Sequence, residues 1–208
     1  MDKILSTGSY GICLFSLEVL QNFLKKEKIR SKKLLEKFQK NKKLYITTQE
    51  EGVWIPLTQI NSIDYVIRLD GYDSLFNDEW EQKMEYDGFN IEIKDALWIS
   101  DIGSFLTFNA DEYIGNEGSY KTPYGVTRYF SENERSCQTL DGHRLFSDFK
   151  YDVPSGKYLL SIKGYARKQP LERPNPNYGF LFSLVRVDEF DGFKNPREEI
   201  YDFNVANM

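Results

Sequence analysis

The sequence predicts a mainly β protein, α+β overall, in which an antiparallel β-sandwich carries a small basic N-terminal α/β segment. Aromatic residues make up 15% of the 208 residues, which favours strands over helices. From about residue 58 onward, apolar and polar residues alternate with a period of two. The short apolar segments of this part are separated by turns rich in glycine and proline, a pattern typical of sandwiches.

The N-terminal part of the chain is predicted to contain helices and a hairpin. A short strand at residues 10–15 precedes Ser16, a residue type that caps helix N-termini. Leucines at helical spacing follow it, and Ser31 is placed to cap a second helix. The segment then ends in a predicted hairpin, with one strand at residues 44–48 and a second at residues 53–57.

The later strands are predicted from alternation of side-chain type. Around Ile67 and Ile91, apolar residues alternate with charged or polar ones, which indicates strands with one buried and one wet face. Residues 78–85, between these two strands, are expected to form one or two helical turns. The strand at residues 179–188 is apolar on both faces, so we expect it to be central. The other predicted strands are residues 105–110, 124–130, 145–151, 157–167 and 199–205.

The two ends of the chain carry opposite charge. Residues 1–56 hold eleven Lys and Arg against six Asp and Glu, whereas the rest of the chain holds sixteen against twenty-six. We therefore predict two domains, a basic helix-plus-hairpin segment at residues 1–57 and an acidic antiparallel sandwich at residues 58–208. Ten bases lie between Lys25 and Lys43, and the one aromatic residue among them, Phe38, is predicted to face inward and not to stack on a base. We therefore expect a solvated or partner-docking helix face and no direct contact with nucleic acid.

Motifs for catalysis or metal binding are scarce. The chain has one histidine, His143, six residues after Cys137. A nucleophile–base pair of these two residues stays an alternative, but a histidine in a surface loop is the favoured interpretation. One histidine excludes a multi-histidine metal site, and the carboxylates match no calcium-loop spacing. The sequence therefore predicts no enzyme, no metal site and no cofactor.

Cysteine usage and hydropathy indicate the compartment. Cys13 and Cys137 are the only cysteines and match no disulfide framework, so we expect two reduced thiols. No apolar run reaches the length of a bilayer span. The apolar stretch at residues 11–20 contains Glu18 and lacks a signal-cleavage pattern. We therefore expect a cytoplasmic protein without a membrane partner.

The strongest functional signal is the acidic stretch from Asp70 to Asp101, where ten acids face two lysines. Concentrated negative charge lets a small protein occupy a cationic cleft such as that of a nuclease. Aromatic residues are interleaved with the acids, and aromatic anchors surrounded by steering charge are typical of tight complexes. A solvated acidic rim is the alternative interpretation. The predicted partner-binding residues are Asp70, Tyr72, Asp73, Phe76, Asp78, Glu79, Trp80, Glu81, Glu85 and Asp87.

Three stretches carry a resemblance to a known family. Residues 76–93 form an acidic turn containing tryptophan that leads through Asp-Gly into a strand, and residues 105–108 are apolar. Residues 149–160 contain Phe-Lys-Tyr-Asp-Val-Pro-Ser-Gly-Lys-Tyr-Leu-Leu. Their order, over about residues 60–190, resembles the competence-associated inhibitor of the bacterial DNA-entry nuclease (competence protein J). The resemblance implies a β-sandwich that binds and blocks a nuclease, an activity also typical of polymorphic-toxin immunity proteins.

The resemblance supplies no inhibitory residues to transfer, and the basic N-terminal segment departs from the family. The sequence thus predicts a non-enzymatic immunity protein or inhibitor that neutralises a cognate protein toxin, first of all a nuclease, as a monomer or weak homodimer. A β-sandwich module for a sugar or other small ligand is the alternative, and its binding would be nearly independent of salt. An enzyme based on His143 or on a carboxylate pair is a third.

Overall fold

The structure, a computed structural model, describes residues 2–115, 117–122 and 125–208. Twelve strands in these residues form one sheet. They are β1 (Lys3–Ser6), β2 (Gly11–Phe15), β3 (Trp54–Thr58), β4 (Asp64–Leu69), β5 (Trp80–Ile93), β6 (Leu97–Asp101), β7 (Gly118–Lys121), β8 (Thr127–Phe130), β9 (Glu134–Gln138), β10 (Arg144–Tyr151), β11 (Gly156–Arg167) and β12 (Tyr178–Val187). The helices are α1 (Leu17–Lys26), α2 (Leu34–Lys40) and α3 (Lys42–Glu50), with 3-10 turns at Ile102–Phe105, Ala110–Tyr113 and Val205–Asn207.

The sheet is mixed and nearly closed, like a barrel. Its strand order is β3-β2-β6-β10-β1-β4-β12-β11-β5, and β9, β8 and β7 branch from β10. The two ends of this order approach each other, because the N–H of Glu92 in β5 donates to the carbonyl of Gly52, just before β3, at 2.8 Å. The pairs β1–β10 and β4–β12 are parallel. The predicted mainly β class with some helix is confirmed, whereas these parallel pairs and the near closure depart from an antiparallel sandwich.

Two cores lie on opposite faces of the sheet where the helices cover it. In β2, Leu14 points into the barrel interior and its neighbour Phe15 points to the helical layer. The outer core is aromatic: Trp54 of β3 stacks on Phe105 with ring centroids 5.0 Å apart. Both cores contain residues from each of the two predicted segments, and β1, β2 and β3 lie in the same sheet as the later strands. Among the described residues, no helix is long and apolar enough to cross a membrane.

The prediction of a strand at residues 44–48, the first strand of the N-terminal hairpin, is wrong, because these residues lie within α3. The side chain of Asn41 caps this helix by accepting from the N–H of Leu44 at 3.1 Å. Trp54, in the second strand of the predicted hairpin, donates its indole N–H to Thr48 at 2.9 Å. The helix therefore packs over β3 instead of pairing with it.

Three further predictions are wrong. Residues 78–85 do not form helical turns, because β5 begins at Trp80. Residues 105–110 and 199–205 are not strands, and 3-10 turns occupy parts of both. Strand β8 lies within the strand predicted at residues 124–130, whose first residue lies outside the described ranges.

The other predicted strands and helices are confirmed, but both predicted helix caps and the environment of β4 differ. Ser31 is not the N-cap of α2, which is Lys33, although its hydroxyl accepts from the N–H of Lys33 at 3.1 Å. Strand β12 lies between β4 and β11 and is central, as predicted. Strand β4 is buried on both faces from Tyr65 to Leu69, and not on one face. Its alternate residues from Tyr65 belong to the inner core, and the loop of residues 70–79 covers Arg68 on the other face. The hydroxyl of Ser16 does not cap α1 but donates to Asp95, which itself accepts from the N–H of Glu18 at 3.4 Å.

Candidate functional site

The loop that joins β4 to β5, residues 70–79, contains six of the ten predicted partner-binding residues, and a buried arginine holds it from inside the fold. The Nη1 of Arg68 donates to the carbonyl of Ser74 at 2.8 Å and also to that of Leu75. Its Nη2 pairs with Asp2 at 2.8 Å. Because one guanidinium satisfies two loop carbonyls, the backbone of this loop has a fixed shape.

Asp73 fixes the other side of the same loop. Its Oδ2 accepts from the N–H of Leu69 at 2.9 Å and from the hydroxyl of Tyr151 at 2.8 Å. Its Oδ1 lies 3.4 Å from the Nζ of Lys3. Asp73, predicted to bind a partner, therefore has three partners within the fold.

The predicted aromatic anchors Phe76 and Trp80 are also engaged inside the protein. The ring of Phe76 stacks on Tyr165 with centroids 4.4 Å apart, and it lies 4.8 Å from the ring of Trp80. The guanidinium of Arg167 lies 4.5 Å from the ring of Trp80, whose side chain is buried. Of the three predicted aromatic anchors, only Tyr72 is exposed, at 47%.

Four of the predicted acids are exposed but form ion pairs within the chain. The pairs are Glu79–Arg167 at 2.9 Å, Glu81–Lys83 at 2.6 Å, Glu85–Lys163 at 3.2 Å and Asp87–Lys194 at 2.7 Å. The hydrogen bond from Lys194 lowers the pKa of Asp87. In the described ranges, Asp70 and Asp78 form no ion pair. Most of the predicted negative surface is therefore neutralised by bases of the fold.

What remains is a compact surface on the β4–β5 loop, which we call the loop surface and define as Asp70, Tyr72, Leu75 and Asp78. Leu75 is 57% exposed. The neighbouring loop between β11 and β12 is joined to this surface, because the N–H of Lys168 donates to the carbonyl of Glu79 at 2.9 Å. Exposed apolar side chains and unpaired carboxylates thus lie on one fixed loop.

The basic residues between Lys25 and Lys43 are exposed on or between the helices, as predicted. Two of the ten form ion pairs, Lys26 with Glu51 and Lys40 with Glu36. The others have no acidic partner within the part of the chain that the structure describes. The helical layer is therefore a second charged surface, of positive sign.

A buried charge cluster lies beside a cavity that the sequence did not reveal. Arg135 of β9 is 4% exposed and contacts the carboxylates of Glu112 and Asp148, the latter at 3.3 Å. Its guanidinium lies 4.2 Å from the ring of Tyr113, whose hydroxyl donates to Asp148 at 2.8 Å. A buried guanidinium requires such anions, because an unpaired charge in the interior is costly.

The cavity has a volume of about 490 Å³ and lies between the β1–β2 loop, the end of β6 and strands β8 to β10. Asp101 lines it and forms no ion pair with any described residue, and its Oδ1 has no hydrogen-bond partner there. Burial, reinforced by the charge of Asp148, raises the pKa of Asp101 to about 6. Arg128 of β8 also lines the cavity, is exposed, and has no acidic partner among the same residues.

The sequence could not have indicated this cluster. Arg135, Glu112 and Asp148 are single charged residues in separate elements, with no shared motif or spacing. In the sequence, Asp101 is only the last acid of the acidic stretch. Its position at the end of a buried strand is the one signal that sets it apart from the exposed acids.

The cysteine–histidine alternative finds no support in the geometry. Cys137 lines the cavity and is half-buried, and burial raises the pKa of its thiol. It faces Leu145 across the β9–β10 hairpin, whereas His143 lies in the turn with its side chain 79% exposed. The surface-loop interpretation of His143 is confirmed. Cys13 and Cys137 are both free thiols.

The described residues contain no group of three histidine, cysteine or acidic side chains placed to hold a metal ion. Comparisons of the chain with protein-family models, with curated proteins and with solved structures found no match. The loop surface, the helical layer and the cavity are the candidate functional features of the described residues.

Proposed function

We propose that this protein is a non-enzymatic inhibitor or immunity protein that binds a cognate bacterial toxin through the loop surface. The proposed toxin is a nuclease. The observation that carries the proposal is the combination of a fixed backbone with exposed apolar and acidic side chains. Arg68 and Asp73 hold the loop from inside, while Tyr72 and Leu75 stay in solvent. The resemblance to the competence nuclease inhibitor points to the same class of activity.

A loop with these properties is suited to bind a protein. Binding costs less conformational entropy when the loop already has its bound shape. Exposed tyrosine and leucine side chains supply the apolar centre that interfaces require, and Asp70 and Asp78 supply charge at its rim. Neither carboxylate forms an ion pair with a described residue, and Asp70 accepts only a hydrogen bond from the hydroxyl of Ser183 at 3.3 Å, so both can pair with the Lys and Arg side chains by which a nuclease holds phosphates.

The proposal is narrower than imitation of a nucleic acid by the whole acidic stretch. Glu79, Glu81, Glu85 and Asp87 already pair with bases of the fold. Only two carboxylates of the loop surface act in steering, so the dependence of association on salt is expected to be moderate. Reversal of Glu79 would also break its ion pair with Arg167, which makes Glu79 a poor probe of binding.

The first experiment identifies the partner and then measures association. The tagged protein is used to capture binding proteins from an extract of its source organism, and the partner is identified by mass spectrometry, purified and studied by stopped-flow. A double variant, Asp70→Lys with Asp78→Lys, is expected to reduce the association rate at low salt at least roughly tenfold, and the difference should shrink as salt increases. Tyr72→Ala is expected to accelerate dissociation.

The matched control is Asp188→Lys with Glu189→Lys, which changes the net charge equally at exposed positions outside the loop surface. This control should leave the association rate within about a factor of two to three, because distant exposed charges are screened. Equal losses in both double variants would mean that net charge matters and the loop does not. Binding of a partner that lacks toxin activity, or binding that does not change with salt, would contradict the proposal.

A further inference from the structure

The cavity beside the buried charge cluster contains one carboxylate and one guanidinium that have no side-chain partner among the described residues. The other charged side chains of its lining have side-chain partners: Arg135 pairs with Glu112 and Asp148, and Asp64, which forms no ion pair, accepts from the hydroxyl of Ser6 at 2.6 Å. Asp101 at the end of β6 and Arg128 in β8 are the exceptions within the described part of the chain. This pair lies on different elements on the wall of the same cavity.

The rest of the lining suits a small polar molecule with an apolar portion. Hydroxyl groups come from the β1–β2 loop and from β9 and β10, and apolar surface comes from Ile63, Tyr129 and Leu145. The volume of about 490 Å³ lies within the range of small-molecule sites. The Nε of Arg135 is a second unpartnered buried polar atom on this wall, which adds a donor to the acceptor of Asp101.

We propose that this cavity binds a small zwitterion of the α-amino-acid type, with its ammonium group on Asp101 and its carboxylate on Arg128. Asp101 and Arg128 carry opposite charges, so a ligand that carries both signs satisfies both. A simple anion meets the carboxylates of Asp64, Asp101 and Glu112. A simple cation meets the guanidinium groups of Arg128 and Arg135. A dipolar ligand avoids both repulsions and, unlike a neutral one, gains an ion pair with each of the two side chains.

The test is calorimetric titration of the full chain with a panel of free protein amino acids. For the amino acid that binds most tightly, the corresponding amine without carboxylate, the corresponding carboxylic acid without amine and the N-acetyl amide are titrated as well. Each of these three analogues is expected to bind at least roughly tenfold more weakly, because each loses a charge-assisted hydrogen bond. The tightest amino acid is also expected to raise the melting temperature with its concentration.

Two variants locate the site, and one serves as a control. Arg128→Gln and Asp101→Asn are each expected to weaken binding at least roughly tenfold. Lys121→Gln removes a similar exposed cation from neighbouring β7 outside the cavity and should leave the affinity unchanged. Arg128 is exposed, so its variant should fold even if the Asp101 variant does not.

Three results would overturn the inference. The first is that no amino acid binds at millimolar concentration. The second is that the amine or the carboxylic acid alone binds as tightly as the zwitterion. The third is that the Arg128→Gln and Lys121→Gln variants bind the amino acid equally well. None of these results bears on the loop surface, because the cavity and the loop surface share no residues. The toxin-binding proposal therefore stands or falls separately.

Discussion

At the scale of single residues, the fold decides which charges are available for binding. Glu79 pairs with Arg167, 88 positions later, and Asp87 pairs with Lys194, 107 positions later. The acidic stretch predicted exposed carboxylates correctly, because they lie on the surface. It could not predict their neutralisation, since the bases come from β11 and from the C-terminal segment, and no local pattern indicates that β5 lies beside them.

Asp101 shows the opposite case, a carboxylate whose environment disfavours its charge. Burial raises its pKa to about 6, whereas the unfolded value is about 3.9. The folded state therefore holds this proton more tightly than the unfolded state. The stability that this group contributes is fully present below about pH 4. It is lost as the pH rises through about 6, because over this range the folded state binds more protons than the unfolded state.

We therefore expect Asp101→Asn to gain stability relative to the parent protein as the pH rises. The difference in unfolding free energy should shift in favour of the variant by about 2–3 kcal/mol between about pH 4 and pH 7. Urea unfolding at a series of pH values measures it. Asp78→Asn, at an exposed position, is the control and should show no comparable shift. A constant difference for Asp101→Asn across this range would show that the carboxyl group titrates normally.

At the scale of elements, alternation and helical spacing identified most of the regular structure. The leucine spacing of α1 is sufficient to predict this helix, and the apolar residues on both faces of β12 are sufficient to predict a central strand, because both patterns are local. The sequence of α3 predicts a strand, because Tyr45 and the three residues after it are types that favour strands. Tertiary contacts stabilise the helix instead: Thr48 and Gln49 lie on its buried face, and both form hydrogen bonds with Trp54.

Thr48 provides a test of this explanation. Its hydroxyl donates to the carbonyl of Tyr45 at 2.6 Å and accepts from the indole of Trp54 at 2.9 Å. Thr48→Val keeps the shape but leaves the indole N–H unsatisfied, so we expect a loss of about 1–3 kcal/mol in unfolding free energy. Thr47→Val is the matched control, because among the described residues the Thr47 hydroxyl bonds only to the carbonyl of Lys43 in its own helix. Chemical denaturation should show a loss within about 0.5 kcal/mol for this control; equal losses would remove the indole contact from the explanation.

At the scale of the whole molecule, the class was predictable and the topology was not. Period-two alternation shows that strands have two faces, but it does not show which strands pair. The parallel pair β4–β12 joins segments more than a hundred residues apart, and β10 has three neighbours. The bulges of β11 against β5 are equally invisible in the sequence, and such irregularities bend strands and increase their twist. A twisted long pair of this kind lets the sheet curl toward closure.

The C-terminal segment completes the interior of this curled sheet. Phe203 and Val205 are buried in the inner core with residues of β5, β11 and β12. Gly164 of β11 allows this approach, since a Cβ at this position would lie 2.1 Å from the Cγ1 of Val205 and 3.0 Å from the Cγ of Met84. The chain thus uses one glycine to bring its last residues into the barrel.

A double-mutant cycle tests whether the C-terminal segment lies inside the barrel. We expect Gly164→Ala to cost about 1–3 kcal/mol of unfolding free energy, because the added methyl group overpacks the core. Combined with Val205→Ala, which removes the nearest methyl groups, the same substitution should cost clearly less, since residues in contact are energetically coupled. In the background of Ile200→Ala, at a side chain of the same segment that is 69% exposed, it should keep its full cost. Equal costs of Gly164→Ala in all three backgrounds, measured by chemical denaturation, would place Val205 away from β11.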